Sequence, residues 1–304
     1  MSKAKKENAA AYELTKKGRR MLFISRFFVY LVLIFLTILC LFAFYLLIVN
    51  ASRSNAQLQA GFAALPQNHF WDNLKNAWTG SGSGSSGTSS INIARGMLNS
   101  LIIAFSSAVL TTYFSALTAY GIHCYEFKLK KLAFGFIMAV MMIPSQISAV
   151  GFISMCNKLK LTNNYLPLIM PSIAAPVVFF YMKQYMESIL PLEIVEAARV
   201  DGAHEFYTFN RIVLPIMGPA IAVQMIFSFV GSWNNFFIPG MLIDKAELKT
   251  VPILIADLRS ADYAKFDLGK VYMFILLAII PVVIVYLCLS KFIIKGVSEG
   301  SVKG

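Results

Sequence analysis

The amino-acid sequence predicts an all-α, polytopic membrane protein, a bundle of six transmembrane helices with both termini in the cytoplasm. Of its 304 residues 58% are hydrophobic and 14% charged, against about 25% charged in an ordinary soluble domain. With a mean hydropathy of +0.66, much of the chain must face something other than water. The apolar residues also come in blocks, and block length decides the class. A helix rises about 1.5 Å per residue, so roughly 20 apolar residues cross a hydrocarbon core of about 30 Å.

Residues 1–22 form a polar, basic tail expected in the cytoplasm, and 23–304 form the transmembrane domain. The first span is 27–49, too long for the apolar region of a signal peptide and without a small-residue cleavage site after it. Residues 50–96 are expected as an extracellular loop containing the run Gly80–Ser90, whose Gly/Ser composition is that of a flexible linker. Spans two and three follow at 98–122 and 132–155. Span four, 166–182, contains Pro171 and Pro176, which a membrane helix tolerates when neighbours re-satisfy the freed backbone groups. Residues 189–215 are the largest cytoplasmic connection. Spans five and six are 216–238 and 271–289.

Six crossings put both ends on one side. The tails and loops of that side hold 17 Lys and Arg residues against 10 on the other, and the positive-inside rule makes it the cytoplasmic one. The net charge of +12 is thus explained by basic residues flanking apolar segments, with no nucleic-acid-binding motif beside it. The spans contain no Asp, Glu, Lys, Arg or His. Ionisable groups within a bilayer mark proton relays and ion pathways, so a charge-relay carrier is disfavoured. An ion-coupled carrier using carbonyls and hydroxyls remains open as the alternative. The phosphate-cradling pattern GxxxxGK[ST] is absent, since Gly269-Lys270 is followed by Val271 and preceded by no matching glycine. The chain is therefore expected to be no enzyme and to bind no cofactor. Any uphill transport must draw on a partner across a cytoplasmic surface. Cys40, Cys124, Cys156 and Cys288 are scattered, and His69, His123 and His204 are read as separate loop histidines, so no metal site is expected.

The connection 189–215 reads as two short helices around a glycine. Pro191 suits a first helical turn, and Glu193 and Glu196 favour the helix dipole there. Gly202 stands where a left-handed cap is wanted. A second helix follows with Phe206, Phe209 and Ile212 at helical spacing, and Pro215 marks the start of span five. Helices of about ten residues are marginal alone in water, so this hairpin must dock, either on a partner or, as an ordinary interfacial hairpin, against the membrane or its own bundle.

Glu196-Ala197-Ala198, three residues, Gly202, nine residues, Ile212, one residue, then Leu214-Pro215 resembles the EAA signature of ABC importer permeases at every fixed position. The resemblance implies a type I importer permease (MetI-like) bundle, whose loop forms a coupling helix seated on a cytoplasmic ATPase. It implies that Glu196, Ala197, Ala198, Asp201, Gly202, Ile212, Leu214 and Pro215 serve ATPase coupling. Asn99-Ser100-Leu101, Met142-Ile143-Pro144, Leu161-Thr162-Asn163-Asn164, Gly231–Phe237 and the tail Lys295–Gly304 are similar to the carbohydrate-uptake branch, which includes the smaller permease of maltose-type importers. The implied partners are a second permease (a heterodimer), two copies of an ABC ATPase using ATP and Mg, an extracellular or periplasmic solute-binding protein, and membrane lipid, with no nucleic acid. The implied function is import of a sugar or oligosaccharide across a bacterial cell membrane; a permease for a non-sugar solute is the alternative.

A permeation path needs polar groups on otherwise apolar helices. The candidates are Asn234, Asn235, Trp233, Gln146 and Gln224. Amides pair with hydroxyls, and an aromatic face packs on sugar C–H groups. The same residues equally suit an interfacial aromatic belt and polar links between helices.

Overall fold

A computed structural model describes residues 3–79, 92–260 and 267–300; for 3–20, 145, 146, 260 and 293–300 it describes the backbone alone. The Gly80–Ser90 run and residues 301–304 of the tail lie outside the described residues. Every regular element among those described is helical.

The chain opens with α1 (Lys3–Ala51), so the basic tail and the first span are one helix of 49 residues. At about 1.5 Å per residue it measures roughly 74 Å, over twice the hydrocarbon thickness. Its apolar stretch from Met21 to Phe44 is exposed on all sides. The loop that follows is more ordered than a polar linker, with α2 (Asn55–Gln59) and the amphipathic α3 (Phe70–Thr79). Ser54 and Gln57 form a reciprocal capping box at the start of α2.

The second span is α4 (Ile93–Cys124), the central helix. Gly96, Ser100, Ala104, Ser107, Ala108, Thr111, Ser115 and Ala119 recur along its buried side, and small residues let helices approach closely where lipid supplies no hydrophobic drive. His123 lies in its last turn, not in a loop.

The expected third span is broken. It consists of α5 (Lys130–Met141) and α6 (Ser145–Lys158), 12 and 14 residues long, and neither alone reaches across about 30 Å. The break sits at Met142-Ile143-Pro144, where proline removes an N–H donor and drives Ile143 out of helical geometry.

In the fourth span the prolines begin elements instead of interrupting one. After α7 (Leu166–Ile169), Pro171 lies in the first turn of a 3₁₀ helix (Met170–Ile173) and Pro176 is the first residue of α8 (Pro176–Ile189), which extends the span past its expected end at 182. The hairpin follows as α9 (Leu192–Val200), α10 (Glu205–Thr208), a π turn over Phe209–Val213, and α11 (Leu214–Ile216). The chain then bends by 82° into α12 (Gly218–Trp233). Pro215 thus belongs to the hairpin, and the fifth span starts at Gly218-Pro219, where proline's missing N–H costs nothing in a first turn. It stops at Trp233, short of the expected 238, and α13 (Phe237–Leu242), α14 (Val251–Ser260) and α15 (Leu268–Gly300) complete the chain.

Among the described residues, four helical stretches suffice by length and composition to cross a membrane: Met21–Ala51, Ile93–Cys124, Leu166–Ile189 and Leu268–Phe292. The bent pair ending in α12 adds a fifth.

Packing joins these elements at three levels. At one end, Ala51, Ala77, Ile93, Leu254, Met273 and Phe274 form a cluster beneath α3. The buried Asn73 donates from Nδ2 to the carbonyls of Ala51 and Arg53, 2.9 Å each. Gly269 lies so close that a Cβ there would stand 2.8 Å from the Arg53 carbonyl and 2.9 Å from Asn73 Nδ2. Midway, Ala104 and Ala108 receive Phe229 and Trp233. At the opposite end, Ala116, Ala119 and Tyr120 pack with Phe179, Met182, Met186, Val195, Phe209 and Val213. That third cluster carries the hairpin.

Candidate functional site

The first limb of the hairpin is α9. Pro191 is its N-cap residue, with ψ 138°, one position ahead of the expected first turn, because the extended Leu190 and Pro191 bring the chain out of α8. Of the nine residues of α9 only Val195 and Ala198 are buried. They lie three apart on one helix face, so the Glu-Ala-Ala triplet is split: Ala198 packs inward while Glu196 and Ala197 stay exposed.

The turn works as its residues require. Gly202 has φ +78°, a left-handed geometry that glycine takes without steric cost. Its N–H donates to the Arg199 carbonyl at 3.0 Å, and the Ala203 N–H to the Ala198 carbonyl at 2.9 Å. These two bonds are a Schellman termination and satisfy two carbonyls at the helix end. Asp201 and Gly202 are exposed at the apex.

In the second limb the expected stripe of Phe206, Phe209 and Ile212 does not form. Phe206 is 70% exposed and Phe209 fully buried. The π turn adds a residue to the local period and moves the buried stripe to Phe209, Val213 and Met217. Ile212 and Leu214 are half-buried and Pro215 is exposed. The tip consequently presents apolar surface that no described residue covers: Val200 is 88% exposed, with Tyr207 beside the already exposed Phe206.

A polar clasp holds the limbs to the central helix. Arg199 Nε donates to Glu205 Oε1 at 2.6 Å, and the Tyr120 hydroxyl donates to Glu205 Oε2 at 2.7 Å. The guanidinium lies 5.0 Å from the Tyr125 ring centroid. The hydrogen bond to Glu205 raises the Arg199 pKa above its ordinary value, while burial foremost, then the Glu205 contact, raises that of the Tyr125 phenol. The Phe209 ring fits between Tyr113 and Tyr120, with centroids 5.6 and 5.5 Å away. The Tyr113 hydroxyl donates to Asn210 Oδ1 at 3.2 Å, and His123 Nε2 meets the Leu190 carbonyl at 3.1 Å. The sequence pattern does not single out these α4 residues. Opposite charges at 199 and 205 flanking the glycine were the available signal.

The expected solute-path residues lie in different settings. Trp233 is buried, stacked on Phe229 at 5.7 Å, and its indole N–H donates to the Ala278 carbonyl at 3.1 Å, so it joins α12 to α15. Gln224 is buried on α12. Asn234 and Asn235 are exposed just beyond the end of α12. The Gln146 side chain lies outside the described residues. The quoted Asn99, Ser100 and Asn163 instead organise the end opposite the hairpin. Asn99 Nδ2 donates to the carbonyls of Glu247 and Lys249 at 2.9 and 3.0 Å, and Ser100 Oγ accepts from Val251 N–H at 2.9 Å. Asn163, at φ 54°, accepts from the N–H groups of Asp244 and Lys245, 2.8 Å each. No cluster of three or more metal-ligating side chains occurs among the described residues.

The family described as "Binding-protein-dependent transport system inner membrane component" matches residues 113–299, which include the whole hairpin. The arabinooligosaccharides transport system permease protein AraQ of Bacillus subtilis (strain 168) is 34% identical over 209 residues, covering 68% of this chain and 72% of that protein. The sn-glycerol-3-phosphate transport system permease protein UgpE of Yersinia pestis is 30% identical over 273 residues, 90% of this chain and 95% of that one. Among solved structures, a bacterial ABC transporter involved in the import of the acidic polysaccharide alginate has a chain that superposes with a TM-score of 0.71. It covers 88% of this chain and 96% of its own at 20% identity, a likeness of fold. An all-helical bundle with several membrane-length apolar helices, matched over most of its length by permeases, belongs to the binding-protein-dependent transport system inner membrane components: it is a non-catalytic, multi-pass permease subunit of an ABC importer.

Proposed function

We propose that the hairpin 189–215 is the cytoplasmic coupling element through which a separate ATPase drives this permease, and that the cargo is a sugar or oligosaccharide. The observation that carries the first part is the division of the hairpin into a buried root and a bare tip. Val195, Ala198 and Phe209 are packed into the bundle, while Val200, Phe206 and Tyr207 are exposed beside Glu196, Ala197, Asp201 and Gly202. An apolar tip with small residues and two carboxylates suits a cleft on a partner, with close backbone approach and polar contacts at the rim. Ile212, Leu214 and Pro215 then form the stem that joins the tip to span five.

On this reading the chain crosses the membrane six times, α5 and α6 together making the third crossing. Both termini share the hairpin's side, where the larger share of Lys and Arg sits. Two ATPase copies hydrolyse ATP with Mg as its counter-ion, and their closure rocks this subunit against a second, similar permease. A solute-binding protein delivers cargo at the opposite face. Sugar as cargo is supported by the name of the AraQ relative and by the apolar middle stretches 27–49, 98–122, 132–155, 166–182, 216–238 and 271–289, whose lack of ionisable groups suits a neutral polyol. Gln224, Asn234, Asn235 and Gln146 are the amides available to hydroxyls, with Trp233 positioning α12.

The test is a Val200→Asp variant in the reconstituted importer. Placing an unpaired charge in an apolar contact costs several kcal/mol, so the ATPase is expected to co-purify poorly and uptake to fall at least about tenfold. Undiminished ATPase association removes the hairpin from the interface.

A further inference from the structure

The clasp around Glu205 has a geometry that stability does not explain. Arg199 and Glu205 side chains are 35% and 42% exposed, and ion pairs in such settings contribute only about 0–1 kcal/mol. Yet the four participating residues come from four different pieces of backbone. Tyr120 is in the last turns of α4, Tyr125 just beyond that helix, Arg199 in the last turn of α9 and Glu205 in the first turn of α10. Both ions also complement the helix ends they occupy, the cation at a C-terminus and the anion at an N-terminus.

Without the clasp the two limbs meet at a glycine with open space around it, since a Cβ on Gly202 would find nothing within 4 Å. Such a joint can bend. With the clasp, Glu205 is held from two directions by charge-assisted hydrogen bonds of 2.6 and 2.7 Å, the short, directional kind. Tyr120 also tilts against Phe209, the buried residue of the second limb. Hairpin and α4 are thereby one body at this end, and α4 is the helix against which α8 and α12 both pack.

We propose that Arg199, Glu205 and Tyr120 are positioning residues for energy coupling: they make α4 follow the hairpin when the ATPase moves it. This rests on the hairpin being the ATPase contact. Their proposed action is on the fraction of ATP turnover converted into transport.

The experiment uses the complete reconstituted importer, with its binding protein and a transported sugar. Glu205→Gln and Tyr120→Phe keep the size of each side chain while removing the anion and the donor. In both, ATPase association and thermal stability are expected to stay near the parent. The solute transported per ATP hydrolysed is expected to fall roughly fivefold or more, the low end of ordinary coupling energies. A charge-reversed pair, Arg199→Glu with Glu205→Arg, should recover part of what either single reversal loses. An unchanged transport-to-ATP ratio in both Glu205→Gln and Tyr120→Phe overturns the proposal, as does a loss that merely tracks falling stability. Val200→Asp distinguishes the two levels. If it abolishes ATPase association while Glu205→Gln leaves the ratio intact, the clasp idea alone fails. If Val200→Asp leaves association intact, the docking reading fails first.

Discussion

At the level of single residues, glycines do two different jobs. Gly202 is needed for its dihedral angle: φ is +78° and the space around it is open. Gly202→Asn should therefore keep most of the ATPase stimulation by loaded binding protein, because asparagine tolerates the left-handed region. Gly202→Val should lose most of it, and equal activity of the two variants would refute the backbone argument. Gly269 is needed for its size, pressed between the Arg53 carbonyl and Asn73. Overpacking of this kind costs about 1–3 kcal/mol, so Gly269→Ala should lower the melting temperature of the purified subunit without changing the hairpin. Only the first role was legible in the sequence, since a helix-terminating glycine has a local signature. The second depends on residues some 200 positions away meeting in space.

Among elements, the apolar blocks were readable but their shapes were not. Composition fixes where a chain can cross a membrane, while prolines decide how. Pro144 breaks one span and Pro176 begins a helix within the next, and the same residue type gives both outcomes because the flanking chain differs. The π turn at Phe209–Val213 was invisible to a pattern that assumes 3.6 residues per turn, and it redirected the buried face. Polar residues quoted for their resemblance found structural partners at the end opposite the hairpin. Asn99 holds the 247–249 segment through two backbone carbonyls. Asn99→Ala should release that segment and speed tryptic cleavage after Lys245 and Lys249 several-fold in vesicles exposing that face. An unaltered cleavage rate would show that the segment is held by other means.

For the molecule as a whole, the same bundle carries three regions of distinct purpose. One end is tied by asparagine side chains to loop carbonyls, the middle is a seam of small residues along α4, and the other end is a clasped hairpin with a bare tip. The long exposed apolar side of α1 leaves that helix free to face lipid or a second permease. The overall sidedness is tested most directly through the hairpin apex, on which the functional account depends. A cysteine at the 88% exposed Val200, in a background with Cys40, Cys124, Cys156 and Cys288 replaced, is treated with a membrane-impermeant thiol reagent. Labelling is expected in inside-out vesicles only, and bound ATPase should protect the site. Labelling from the outer face, or undiminished labelling with the ATPase bound, would contradict the account.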